Sequence, residues 1–380
     1  MKLIHTLVTL IVGLNLSLAQ NTAQPISISL SNPSVFPRKG EVVELPWSTL
    51  KAKIPRLDTA NFKLIHSVTK KEIPVQFETK GGSKILNLLV QTDFTALGTV
   101  KLMVVAGKRS VYPVKTYGRY VPERKDDFAW ENDKIAFRMY GKELEKTPKE
   151  MAYGTDVWVK STDRMVINER YKRGKYHENQ GDGMDYYHVG LTLGAGNIAP
   201  YVKDTIRYDG TYATWKLLDN GPLRTTFQLS YDEWNAGGLK LKATKTISLD
   251  AGSNFNKVEV NYTGQENAEL PVVMGIVKRN EQGVMVLDEQ RSVMAYWEPL
   301  HGADGITGVG VFTATPITKM NVSEQQLLMH AKATSGSTSF VYYNGACWNM
   351  AGEFTDAALW FNHVQMNRSR ITEKIRVTIQ

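Results

Sequence analysis

The residues best equipped for chemistry lie between Tyr176 and Gly196, in the stretch YHENQGDGMDYYHVGLTLGAG. It holds two histidines (His177 and His188), three tyrosines (Tyr176, Tyr186 and Tyr187) and three carboxylates (Glu178, Asp182 and Asp185) around Gly181 and Gly183. A basic run, Arg170 to Lys175, precedes it. Proton donors and acceptors beside positive charge suit a site that acts on an anionic substrate. Other chemistries lack their residues. No Gly-x-Ser-x-Gly elbow is present for a serine nucleophile. No phosphate loop or dinucleotide-binding glycine motif follows a strand. The spacing of His177, His188, Asp182 and Asp185 matches no metal signature, so neither a metal nor a cofactor is expected. Glu178 with Asp182 or Asp185 could serve a glycosidase, but sequence spacing gives no carboxylate separation.

What is left is Tyr/His proton chemistry supported by cations, which suits β-elimination from a uronic acid. The C5 proton next to the carboxylate is weakly acidic, and a nearby cation stabilises the enolate-like charge. A His or Tyr takes that proton and a second group protonates the departing oxygen. A sugar as leaving group makes the enzyme a lyase; a free 4-hydroxyl makes it a dehydratase. His177, Tyr187 and Arg138 are the expected catalytic residues, with Arg138 meeting the carboxylate. Substrate contacts are expected from Tyr140, Trp158, Lys160, His188, Arg279, His301, Trp360 and His363. A non-catalytic carbohydrate-binding protein and a mutarotase-like epimerase are the rival classes.

Strands must position these residues. Ile135, Phe137 and Met139 alternate with Ala136, Arg138 and Tyr140, and Val157 and Val159 with Asp156, Trp158 and Lys160. Further strand patterns run over 223–231, 239–249, 256–262, 271–279, 309–314, 326–331, 338–343 and 375–379. Only 143–153 and 355–366 read as helical. Short strands with Gly-rich turns fill residues 41–113. The polar, aromatic segment 117–133 is expected to be packed between two domains. The chain thus reads as all-β: a signal peptide over 1–19, a small N-terminal β-sandwich over 20–115, and a large antiparallel sandwich over 116–380.

The address and the charge agree with a carbohydrate partner. A basic start, an apolar run from Leu7 to Leu18 and Ser17-Leu-Ala19 read as a secretory leader, with no lipid-anchor cysteine after it and no membrane anchor. The protein is therefore expected in the periplasm or outside the cell. Cys347 is the single cysteine and has no intrachain partner. Formal charge is +8, but basic residues are scattered, which argues against nucleic acid and leaves acidic oligosaccharide as partner. Eight Trp and 17 Tyr supply flat faces for sugars as well as core material.

Several segments carry a resemblance: Arg119-Tyr-Val-Pro-Glu-Arg124, Asp127-Phe-Ala-Trp-Glu-Asn-Asp133, Ile135 to Gly141, Asp156 to Lys160, Tyr176-His177, Gly181-Asp-Gly183, Asp185-Tyr-Tyr187 and Leu193 to Gly196. The chain resembles a secreted bacterial polysaccharide-utilisation family, formerly catalogued as a domain of unknown function and related to ulvan oligosaccharide dehydratases. The resemblance implies a mutarotase-like β-supersandwich behind a small β-domain. It also implies dehydration of the non-reducing-end uronic acid of ulvan-type oligosaccharides, giving a 4,5-unsaturated uronyl end.

Overall fold

The computed structural model describes residues 26–265, 267–336 and 338–380; the expected leader over 1–19 lies outside them. The described chain is mostly antiparallel strand in five sheets. A five-stranded and a three-stranded sheet make the small N-terminal sandwich, around a core of Ile28, Leu45, Leu64, Leu88 and Leu102. In the large domain an eight-stranded sheet, running from Thr214–Asn220 at one edge to Val284–Asp288 at the other, forms one layer. A five-stranded sheet and a four-stranded sheet form the facing layer. Side chains from all three, such as Phe227, Trp130, Phe137, Val157, Met274 and Met329, share one core. Burial of alternate residues explains why the period-two patterns fold as they do.

That alternation sets the outer face of the five-stranded sheet. Phe128, Trp130, Phe137, Met139, Val157 and Val159 point into the core. Asp127, Ala129, Glu131, Arg138, Asp156, Trp158 and Lys160 occupy the alternate positions of the same strands, Asp127–Asn132, Ala136–Met139 and Asp156–Lys160. Register places Arg138 directly opposite Asp156. The outer face is then roofed by a short helix, Ile167–Arg173, whose Ile167 and Tyr171 pack with Trp158. Glu131 accepts from the main-chain N–H groups of Val166 and Ile167 at 2.8–2.9 Å, which satisfies donors at the helix start.

Three expectations need correction. Residues 117–133 do not lie between the domains: they form the first hairpin of the large domain, Thr116–Val121 paired with Asp127–Asn132, because their aromatic side chains alternate into its core. The last strand, Arg376–Ile379, does not belong to the large domain. It pairs with Ser27–Ser31 and buries Ile379 in the small core, so residues 116–380 are not one unit. Segment 143–153 makes only two short 3₁₀ turns separated at Thr147, where Pro148 restricts the backbone, while the expected C-terminal helix extends over Ala357–Thr372. The small domain is held to the large one largely by polar contacts. Arg224 reaches Glu44, Glu78 and Asp250 at 2.5–2.8 Å, and Gln76 accepts from the N–H groups of Leu223 and Arg224.

Removing residues 375–380 should therefore loosen the domain at the far end of the sequence. Amide exchange is expected to rise in Ser27–Ser31 while Arg224–Ala236 stays protected. Equal protection of Ser27–Ser31 in both proteins would contradict the pairing.

Candidate functional site

One guanidinium organises the ground beneath the strap of residues 176–188. Arg138 donates from Nε to Asp156 at 2.8 Å, from Nη2 to Asp185 at 2.9 Å and from Nη1 to Asp127 at 3.4 Å. Aromatic rings enclose it, with Tyr140 and Trp158 both 5.2 Å from its carbon centre and Tyr176 at 5.9 Å. Burial opposes its charge, but the carboxylates outweigh that and hold the cation. Burial pushes Asp127 up to about 6 against the pull of Arg138 and Arg124, and it raises Asp156 and Asp185 as well. Three carboxylates facing one buried guanidinium leave the cluster short of positive charge.

The strap closes over this cluster by its own hydrogen bonds. Asp185 N–H donates to the Tyr176 carbonyl at 2.8 Å, and Arg173 grips Asp182 through two bonds of 2.9 and 2.8 Å. Gly183 is required at the turn: its φ is +103°, and a Cβ there would lie 2.1 Å from the Val159 carbonyl oxygen. His177 Nδ1 sits 2.8 Å from the Asp185 carbonyl oxygen. A carbonyl only accepts, so Nδ1 carries the proton and the Nε2 lone pair of neutral His177 is free. The His177 side chain is 65% exposed. Beside it Tyr176 packs at 4.6 Å and its hydroxyl accepts from Arg124 Nε at 3.0 Å.

A second imidazole stands at the next residue of the strap. Tyr186 stacks on His301 with centroids 5.3 Å apart, and Thr307 donates to the Tyr186 hydroxyl at 2.7 Å. His301 Nδ1 is 2.9 Å from the Asp304 carboxylate, and this ring too is 65% exposed. Two exposed histidines, each oriented through Nδ1, thus flank the Asp185–Tyr186 peptide. Below the following residues, Arg279 donates to Glu298 at 2.5 Å and to the His188 carbonyl at 2.7 Å, and it lies 4.7 Å from the Tyr187 ring. Among the described residues Arg279 Nη2 makes no hydrogen bond. Burial pushes Glu298 up to about 7, in spite of Arg279.

The expected site residues divide accordingly. His177 and His188 belong to the strap and Arg279 and His301 contact it, with His188 exposed. Arg138 underlies them as a positioning residue; its charge is consumed by carboxylates, which rules it out as the free cation for a uronate. Tyr187 is 3% exposed and packs in the core, its hydroxyl buried without a partner and held protonated by burial, so it cannot be a solvent-reachable base. Tyr140 lies in the same core against Arg138. Trp158 is sandwiched between Tyr171 and Tyr176 and has no face for a sugar. Lys160 is wholly buried, 2.7 Å from Glu131 and 2.6 Å from the Asn132 carbonyl. Trp360 is 0% exposed and donates to the Val309 carbonyl, and His363 stacks beside it on Phe255, under a different part of the molecule. Burial depresses His363 to about 3. Tyr176, Arg124, Glu298 and Asp304 are not among the site residues expected from sequence. The Arg124 and Tyr176 motifs were visible there, but their contact spans 52 positions.

A cavity of about 600 Å³ lies elsewhere, between the small domain and the outer face of the eight-stranded sheet. Its histidine is the neutral, largely buried His363, so the proton chemistry is assigned to the strap. Among the described residues no group of three or more His, Cys, Asp and Glu is arranged to hold a metal ion.

Two outcomes follow from these burial patterns. Lys160→Met leaves Glu131 buried and uncompensated and should cost about 3–5 kcal/mol in denaturant unfolding, with KM for any saccharide unchanged; a stable variant with raised KM would restore Lys160 as a substrate contact. Glu298 and Asp127 have folded pKa values above their unfolded values of about 4. Their contribution to stability is therefore full below about pH 4 and lost as pH rises through about 6–7. Melting temperature should fall between about pH 5 and 7.5, and Glu298→Gln should remove part of that slope.

Comparison with known proteins agrees with this architecture. An uncharacterized protein, P7, from Formosa agariphila is 28% identical over 385 residues, covering 96% of both chains. Among solved structures, a protein in the Glycosyl Hydrolase Family 38 from Enterococcus faecalis is similar with a TM-score of 0.51 at 9% identity. An alpha-mannosidase from the same organism follows with a TM-score of 0.45 at 7% identity. These alignments cover 94% and 93% of this chain, which spans about half the length of either structure. The likeness to the first is one of fold, a β-sandwich architecture. The family model described as "Domain of unknown function (DUF4861)" matches residues 30–377, and the chain belongs to that family.

Proposed function

We propose that the protein is a carbon–oxygen lyase, an oligosaccharide dehydratase acting on the non-reducing-end uronic acid of acidic, ulvan-type oligosaccharides. The observation that carries this is the pair of exposed imidazoles on either side of Asp185–Tyr186, each tied down at Nδ1. Elimination needs one group to take a proton and another to give one, and two similarly oriented histidines supply both. His177 Nε2 takes the C5 proton. The C5–H electrons form the C4–C5 double bond as the C4–O bond breaks, and protonated His301 gives its Nε2 proton to the departing hydroxyl, which leaves as water. Solvent exchange then resets both rings. Arg279 Nη2 takes the carboxylate role first given to Arg138, where it stabilises charge that grows in the transition state. Tyr176, held by Arg124, is a second proton donor within the same group. A cleaved leader and a periplasmic or secreted location suit a substrate met outside the cytoplasm. The motif resemblance supports the uronate dehydratase over a binding protein, which has no use for two oriented imidazoles.

Incubation with uronate-terminated oligosaccharides, followed by mass and by the absorbance of conjugated enol-uronates, tests the assignment. Loss of one water without chain shortening is expected; shortening with an alkene would make the protein a chain-cleaving lyase. His177→Ala and His301→Ala should each lower turnover by about 10²–10⁴-fold with little change in binding. Tyr187→Phe should leave turnover nearly unchanged. Near-native turnover in folded His177→Ala would remove the strap from the mechanism.

A further inference from the structure

We infer that the cleft between the two domains is a second carbohydrate site, which holds an anionic part of the saccharide chain away from the strap. The proposed function supplies only the uronate as ligand class; the cleft stands on its own geometry. Its volume of about 600 Å³ is that of a typical ligand pocket. One wall is the small domain's strand Arg38–Pro46, another the outer face of the eight-stranded sheet at Ser248, Lys257 and Tyr343, and the third the end of the helix Ala357–Thr372.

Charge and shape select the ligand. Arg38 meets Glu41 at 3.1 Å and Arg224 is shared by Glu44 and Asp250 at 2.6 and 2.5 Å, while the lining carries six cations, Arg38, Lys39, Arg224, Lys257, Arg370 and Lys374, against the three carboxylates Glu41, Glu44 and Asp250. Lys39 and Lys374 also line the cleft, are exposed, and make no ion pair among the described residues. The uncommitted charge is therefore positive. His363 adds none, since burial keeps it neutral. Half-buried Tyr343 lines the cavity and is held flat by Phe312, with centroids 5.1 Å apart and planes 9° from parallel. A fixed aromatic ring in a cleft that also carries free ammonium groups matches the apolar face and carboxylate of a uronic acid. A nucleic acid would call for a longer basic track.

Calorimetric titration of the His177→Ala protein with a uronate-terminated tetrasaccharide tests this without consuming the ligand, beside a neutral tetrasaccharide and sodium sulfate. Two equivalents are expected to bind, and one in the added Lys39→Glu/Lys374→Glu background, where both changes are at exposed positions. Tyr343→Ala should weaken the second event by about 3- to 10-fold. In otherwise native protein none of these changes should alter turnover of a monomeric uronate glycoside. A single equivalent throughout, equal binding of the neutral sugar, or sulfate competing as well as the tetrasaccharide would overturn the inference. Native turnover by His177→Ala would sink the proposed function and leave the stoichiometry to decide the cleft.

Discussion

The buried contact between Arg138 and its three carboxylates is the constraint on which the candidate site depends. Two of its partners, Asp127 and Asp156, come from neighbouring strands, and the third, Asp185, comes from the strap. A buried guanidinium is tolerable only when its donors are met, so the strap must lie down where Asp185 can reach it. Once Asp185 is fixed, its carbonyl oxygen fixes His177, and its neighbour Tyr186 fixes the ring of His301. Breaking the cluster would leave carboxylates buried beside one another, whose mutual repulsion already raises Asp156 after burial.

Arg224 plays a comparable part at the domain junction. It joins Glu44 and Glu78 of the small sandwich to Asp250 of the large one, and Glu78 is wholly buried. The same guanidinium holds Glu44 and Asp250 in the lining of the interdomain cleft, so the docking of the two domains and part of the charge balance of the cleft rest on one residue. The C-terminal strand adds a covalent return: the chain leaves the large domain through the helix Ala357–Thr372 and ends as an edge strand of the small one. Loop closure over so long a stretch costs little more than over a short one, which lets Ser27–Ser31 and Arg376–Ile379 pair.

The catalytic proposal places its groups at the margin of a rigid sandwich and not within it. Tyr187 and Trp158 have the residue types that a sugar site uses, yet both serve packing, and the groups left to solvent are short polar side chains held by main-chain or carboxylate contacts. Such an arrangement keeps general bases accessible while the scaffold beneath stays fixed.

The sequence by itself determined the strands and their inward faces. Val157 and Val159 against Asp156, Trp158 and Lys160 could fold only with the apolar set in the core, since a one-residue slip would reverse every side chain. It also marked the 176–188 stretch, whose two histidines and Gly183 turn have no core explanation. It could not say which polar residue on the outer face stays free. Arg138, Lys160 and Trp158 were read as reaching substrate because alternation puts them outside the core; the roof of helix and strap that buries them comes from sequence positions up to 47 away. Likewise Tyr176 with Arg124, and His301 with Tyr186, meet across 52 and more than a hundred positions, and no local pattern encodes such contacts. Local periodicity chose the faces, and long-range packing chose which charges were consumed and which were left to act.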